Sequence, residues 1–216
     1  MTVKFINVFL KDRDMSVQQD KLLVPLDVYL KAGLHIGTKF KTTYMSQFIY
    51  KVRPDGLSVL NVQSINKRIE TACNFMSKYK PEEIMIVGKR ENGWKALKLF
   101  SQLTGIRCYS GRYHPGIMTN SQLEDFLEVK LILVTDPWPD KDAVRDGVHV
   151  GAAVVALCDT NNESNYIDLV VPCNNKGKKS LGLFFYVLAR EYMKNRGMIK
   201  DEKELKIPME EFLKED

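Results

Sequence analysis

Leu131-Ile132-Leu133-Val134-Thr135-Asp136-Pro137, the segment Lys141–Val148 behind Asp140, and Val154-Val155-Ala156-Leu157-Cys158-Asp159 decide the fold of this 216-residue chain. Two short, wholly apolar runs of strand length bracket a segment of helical length. The order predicts a strand, a helix capped by Asp140, and a second strand. Runs that are apolar at every position, rather than at alternate ones, belong to a mostly parallel sheet covered by helices on both faces.

The same alternation extends in both directions. Downstream, Leu169–Val171 reads as a strand and Ser180–Met193 as a long helix. Upstream, Ile84–Val87 and Ile106–Tyr109 read as strands around a helix at Trp94–Thr104 that Gly105 closes, and a short helix is expected at 121–127. Before these, Ile65, Ile69, Ala72, Cys73 and Met76 recur at helical spacing across 64–79. Pro54-Asp55-Gly56 separates Phe48–Val52 from Leu57–Val62 and signals a β-hairpin. A short helix from Val24 to Ala32 stops at Gly33, and a glycine-punctuated loop runs on to Gly37. The chain therefore divides into an N-terminal arm at 1–21, a single α/β domain at 22–199, and an acidic C-terminal tail at 200–216. In the tail Pro208 opens one helical turn, and mobility is expected.

With 44% hydrophobic and 27% charged residues of both signs, disorder is excluded for most of the chain. The longest apolar runs, Ala152–Cys158 and Leu183–Ala189, fall far short of the ~20 residues that cross a bilayer. No cleavable leader is expected, because Lys11-Asp12-Arg13-Asp14 ends the short N-terminal apolar stretch. Cys73, Cys108, Cys158 and Cys173, with His35, His114 and His149, lack metal-ligand or redox spacing. Free thiols, a reducing cytoplasm and no metal or cofactor are the expectation.

Charge is asymmetric. The net charge of +5 conceals +4 over residues 1–60, +6 over 61–120, −7 over 121–170, +5 over 171–199 and −3 over the tail. Two separated basic segments point to a polyanionic partner. The alternative is lysines that merely solvate helix faces.

Pro172-Cys173-Asn174-Asn175-Lys176-Gly177-Lys178-Lys179-Ser180 joins a strand to a helix, where backbone N–H groups attract phosphate. A Walker loop fails here, since residue 172 is proline where glycine is required and Lys179 follows Lys178 where a hydroxyl is required. Three lysines and two asparagines suit phosphate contact without catalysis, and a solvated helix entry remains the plainer alternative. Asp136 and Asp159 follow strands, where two carboxylates can bind magnesium or act as acid and base. Each also has the local setting of an aspartate bonded to its own turn, which is the preferred reading. Gly88-Lys89-Arg90-Glu91-Asn92-Gly93 lacks the dinucleotide order of glycines. His35 reads as a packing or loop-tethering residue. Tyr44, Tyr113 and His114, beside Lys41 or Arg112, can stack on bases or pack in the protein.

These motifs together resemble the family of the second protein of the small ribosomal subunit, in its archaeal and eukaryotic branch. The resemblance is carried by Leu26-Asp27, Tyr29-Leu30, Ala32-Gly33-Leu34-His35-Ile36-Gly37-Thr38 and Phe48-Ile49-Tyr50. It continues through Arg53-Pro54-Asp55-Gly56-Leu57, Pro115-Gly116-Ile117-Met118-Thr119-Asn120, Thr135-Asp136-Pro137, Ala156-Leu157-Cys158-Asp159-Thr160-Asn161 and the loop 172–180. In order, these span about residue 22 to residue 193. The resemblance implies a flavodoxin-like three-layer sandwich and a non-enzymatic structural role on small-subunit rRNA, at the ribosome in the cytoplasm. Only about ten residues separate Asn120 from the next strand, so the helical hairpin of the bacterial branch is absent. The long acidic tail of animal members is absent too, which points to an archaeal-type protein. Trp138 stands where family members often carry arginine.

Three readings compete. The first is a structural protein of the small subunit that binds small-subunit rRNA and neighbouring ribosomal proteins, with no membrane and no small-molecule substrate. It draws on Lys39, Lys41, Arg112, Lys176, Lys178 and Lys179, all in glycine- or asparagine-bearing loops, and expects the three lysines after Pro172 to be replaceable without loss of fold. The second is a flavodoxin-like nucleotide-binding enzyme domain using Asp136, Asp159 and the loop after Pro172; no nucleophile with an adjacent base supports it. The third is an adaptor that docks a basic partner through the acidic segment 121–170.

Overall fold

The computed structural model describes residues 22–199, 205 and 207–214; the arm at 1–21 and the first residues of the tail lie outside the described residues. Five parallel strands form the central sheet: β3 (Ile84–Gly88), β4 (Arg107–Ser110), β5 (Leu131–Val134), β6 (Ala153–Cys158) and β7 (Leu169–Pro172), in the order β4-β3-β5-β6-β7. Register pairs Ile86 with Cys108 on one side and with Leu133 on the other, then Leu133 with Val155 and Leu157 with Val171. All four side chains of β5 are buried, which is why its sequence shows no alternation. The sheet is the expected flavodoxin-like arrangement.

Helix α3 (Glu91–Thr104) carries the chain from β3 to β4, and α4 (Lys141–His149) carries it from β5 to β6. The two crossovers run in opposite directions along the sheet. With right-handed connections, they therefore lie on opposite faces. Helix α5 (Lys178–Asn195) packs against α3 and against α2 (Val62–Met76), completing one layer. Phe100 and Phe184 both meet Phe185 edge to face in that layer. On the other face α4 sits close enough that a Cβ at Gly147 would lie 3.1 Å from Ile132 Cγ2. The connection from β6 to β7 has no helix.

The first segment also matches expectation. Helix α1 (Leu26–Ala32) ends at Gly33 in the left-handed conformation. Strands β1 (Ile49–Val52) and β2 (Ser58–Leu60) form the antiparallel hairpin, turning through Gly56 at φ 84°.

Four local expectations need correction. No helix forms at 121–127; successive turns run from Asn120 to Phe126, because Ser121 to Asp125 are exposed and offer no apolar face to bury. Helix α2 ends at Met76, and Ser77 to Tyr79 form turns. Asp140 occupies the N-cap position of α4 without capping it; its Oδ2 accepts instead from Lys89 N at 3.2 Å. The tail carries a helix docked on the domain. Residues Met209–Leu213 form α6, whose Phe212 is buried and meets Tyr186 edge to face at 5.7 Å.

Candidate nucleic-acid interface

Open parallel sheets bind small ligands outside the C-terminal strand ends where the strand order reverses, here between β3 and β5. That crevice is filled from within. Asp136, at the end of β5 and 1% exposed, accepts from Arg90 Nε at 2.6 Å, from Asn162 Nδ2 at 3.0 Å and from Trp138 N at 3.1 Å. Asn162 Oδ1 accepts in turn from Asp159 N at 2.8 Å and from Asn175 Nδ2 at 3.0 Å. Asp159 accepts from Thr160 N at 2.6 Å and pairs with Lys176 Nζ at 3.0 Å. The turn reading of both aspartates holds, and each has in addition a cation from a distant segment. These bonds occupy the oxygens that magnesium chemistry or proton transfer would need.

Other groups are equally committed. A Cβ at Gly88 would lie 2.6 Å from Leu97 Cδ1, so this glycine lets α3 approach the sheet rather than cradling a phosphate. Burial pushes the Cys108 thiol up to about 12, and it raises Cys73, Cys158 and Cys173 further, which removes them as thiolate nucleophiles. Burial also holds the His35 ring below the usual histidine range, and its backbone carbonyl accepts from Leu60 N at 2.8 Å as a tether. Among the described residues, His, Cys, Asp and Glu side chains form no group able to hold a metal ion.

The basic residues are brought together from remote segments. The loop after α1 lies across the end of β6: Thr38 N donates to Thr160 Oγ1 and Thr42 N to Thr160 O, both at 2.9 Å. Gly37 allows this contact, since a Cβ there would meet Thr160 Cγ2 at 2.6 Å. Lys39 and Lys41 are therefore exposed at the C-terminal edge of the sheet. The loop after β7 joins them through Asn174, whose N donates to Leu34 O at 3.0 Å and whose Nδ2 donates to Gly33 O at 3.1 Å. Lys178 and Lys179 follow, exposed on the first turn of α5. Arg112 follows β4, the strand at the opposite side of the sheet from β7, and its neighbour Gly111 lies against Trp94, which lines a groove together with Lys178.

Two expectations about the loop 172–180 change. Its asparagines serve the fold rather than a phosphate: Asn174 Oδ1 accepts from Lys176 N at 3.1 Å, and Asn175 is buried. Lys176 is not a plain surface lysine, because it neutralises Asp159 and donates to Asn161 Oδ1 at 3.0 Å. Arg90, Asn162 and Asn174 were missed as organising residues. Their partners are 46, 26 and 141 positions away in sequence, and no local spacing marks them.

Of the aromatic candidates, Tyr113 is buried and donates its hydroxyl to Asp146 Oδ2 at 2.9 Å, so it cannot present a ring to a base. His114 is exposed, and Tyr44 is partly exposed against Phe48. The acidic segment 121–170 is less acidic at the surface than its count suggests. Asp136, Asp140 and Asp159 are buried, Asp146 holds Tyr113 and Gly116, and Asp168 Oδ2 accepts from Val154 N at 2.8 Å.

Comparison with known proteins agrees over the described domain. The sequence profile of the family Ribosomal protein S2 matches residues 29–129 and 125–195. The small ribosomal subunit protein uS2 of Nanoarchaeum equitans is 46% identical over 190 residues, covering 88% of this chain and 94% of its own length. The protein of the same name from Methanococcus maripaludis strain C6 is 45% identical over 186 residues, covering 86% and 84%. That from Picrophilus torridus is 39% identical over 196 residues, covering 91% and 98%.

Proposed function

This chain belongs to the ribosomal protein S2 family, in its archaeal form, and we propose that it holds small-subunit rRNA through the loops at the C-terminal edge of its sheet. The role is structural and not enzymatic. The observation that carries the reading is the convergence of Lys39, Lys41, Lys178 and Lys179 on that edge, beside a crevice already filled by Arg90 and Asp136. Arg112 extends the contact to the far side. Lys39 and Lys41, in an irregular loop, can follow the phosphate spacing of folded RNA, and Lys178 and Lys179 stand on the first turn of α5, a helix end whose free N–H groups favour phosphate. Lys176 acts at one remove, fixing the loop through Asp159. Exposed Glu124, Asp125 and Glu128, with Asp142, Glu163 and Asp168 further along, are the part of the acidic segment that can meet basic ribosomal neighbours. The location that follows is the ribosome in the cytoplasm, and supporting subunit assembly is part of the role.

The test is affinity for deproteinised small-subunit rRNA across a salt series. Replacing Lys178 and Lys179 by alanine should reduce the log–log slope by roughly 1.4, at ~0.7 per phosphate contact, with folding changed by less than about 0.5 kcal/mol. Lys176→Ala should instead destabilise the fold by about 2 kcal/mol, below the ~3–5 kcal/mol of a fully buried pair because Lys176 is itself 36% exposed. An unchanged slope in the folded double variant would place these lysines on a solvated face and defeat the proposed contact.

A further inference from the structure

Phe40, Trp138 and Tyr166 are the three most exposed large hydrophobic side chains among the described residues, at 80%, 72% and 71%. All three line one cleft of about 670 Å³ between α4 and the helix-free connection from β6 to β7. Large aromatic rings left in water at one place mark a contact surface, since each would stabilise the fold substantially if buried. Their backbones are anchored while their rings are not covered. The Phe40 carbonyl accepts from Thr38 Oγ1 and Thr160 Oγ1, each at 2.9 Å. Trp138 N is held by Asp136 at 3.1 Å. Tyr166 has φ 64°, the one residue other than glycine in the left-handed region among the described residues, a conformation that costs energy and needs its surroundings to maintain it.

The rim decides the occupant. Lys141 and Arg145, one turn apart on α4, line the cleft, and neither is ion-paired among the described residues; Glu163 is the only acidic side chain in the lining. Lys39 and Lys41 flank Phe40 in sequence and are exposed. Asn165 adds an exposed amide group able to meet base edges. Exposed rings with a cationic rim are the chemistry of an unpaired polynucleotide, whose bases stack while its phosphates meet the cations. A paired duplex hides its base faces. A protein partner would favour a contact centre depleted in lysine.

We propose that this cleft takes unpaired nucleotides of small-subunit rRNA, with bases stacked on Trp138 and Tyr166 and phosphates toward Lys141 and Arg145. The inference rests on the rRNA reading given above and adds a base-stacking subsite to its phosphate-contacting edge. It also places an RNA contact inside the segment of most negative sequence charge.

The experiment uses the full chain with Trp94→Phe, which leaves Trp138 as the sole indole. Deproteinised small-subunit rRNA is titrated while retention on filters and indole fluorescence are followed together. Binding should quench Trp138, and Trp138→Ala should weaken affinity roughly tenfold, the order of magnitude for one stacked base. Trp138→Tyr should keep affinity within a few-fold, and Lys141→Ala with Arg145→Ala should weaken binding more at low salt than at high salt. Circular dichroism checks that each variant folds. Tight rRNA binding with Trp138 unquenched and Trp138→Ala unaffected would overturn the cleft and leave the edge contacts standing. Absence of rRNA binding would overturn both. Photo-crosslinking in assembled small subunits that joins Trp138 or Tyr166 to another protein, and not to RNA, would assign the cleft to a protein partner and overturn the proposal.

Discussion

Arg90 Nε lies 2.6 Å from Asp136 Oδ2, bridging the point where the strand order of the sheet reverses. The carboxylate is 1% exposed and the guanidinium about one third exposed. One ion pair thus closes the position where folds of this shape receive a nucleotide, and it connects through Asn162 and Asn175 to the loops that carry the lysines. The pair ties the filling of that crevice to the shape of the proposed RNA-binding edge.

Arg90→Ala should destabilise the protein by about 3 kcal/mol, the lower part of the range for stranding one partner of a buried pair. The exposure of Arg90 argues for that lower part. Urea unfolding of Arg90→Ala, Asp136→Asn and the double variant gives the coupling energy. A coupling near zero would show that solvent already screens the pair.

Gly37→Ala should weaken rRNA binding more than it weakens the fold. The new methyl would meet Thr160 Cγ2 at 2.6 Å and Ser58 O at 3.0 Å, lifting the loop that carries Lys39 and Lys41 off the end of β6. Adding Thr160→Ser removes the Cγ2 contact and keeps the Oγ1 acceptor for Thr38, so affinity should partly recover. Equal affinity of Gly37→Ala and the parent protein would show that the loop position does not matter.

Gly182→Ala should release the C-terminal helix. Its Cβ would collide with the carbonyl oxygen of Phe212, a backbone atom that cannot move aside without displacing α6. Alanine favours α5 itself by up to ~1 kcal/mol, whereas exposing Phe212 forfeits ~2–3 kcal/mol of apolar burial. Hydrogen exchange should rise in Met209–Leu213 and stay low in the sheet. Unchanged protection there would show that α6 adjusts to the extra methyl.

Asp140 should give the fold a measurable pH dependence. Burial, reinforced by the nearby Asp136 charge and opposed by the bond from Lys89 N, pushes its carboxyl up to about 6. A folded value above the unfolded one means that the folded state holds the proton longer. The contribution of Asp140 to stability is therefore full below about pH 4, declines as pH rises through 6, and is then flat. Asp140→Asn keeps an acceptor for Lys89 N and removes the titration. Relative to the parent protein, the variant should gain stability between pH 4 and pH 7, by at most about 3 kcal/mol. Parallel stability curves across that range would refute the assignment.

The architecture was legible because it depends on local composition. Leu131–Val134 and Val154–Leu157 are apolar at every position since both faces of the sheet are covered, and that pattern needs no knowledge of the partner strand. Gly33 and Pro54-Asp55-Gly56 announce a helix end and a hairpin for the same reason: the backbone conformations they permit are local properties. The segment 121–127 failed because helical length without a buried face does not repay the cost of nucleation. Lys39, Lys41 and Arg112 could be named as loop cations from sequence, since loop, charge and neighbouring glycine are visible there, whereas Lys178 and Lys179, expected in the loop before Ser180, fall on the first turn of α5.

By itself, then, the sequence determined the strand–helix alternation, the hairpin, the family and the list of basic loop residues. Only the tertiary structure decided which of those residues share an edge, that Lys176 answers Asp159, that Arg90 fills the crevice beside Asp136, and that Phe40, Trp138 and Tyr166 border one cleft. The physical reason is the range of the interactions. Apolar periodicity and turn chemistry act over a few residues. Ion pairs, buried amide bonds and surface clefts depend on contacts between segments as much as 167 positions apart, and those contacts exist only after the strands have taken their order in the sheet.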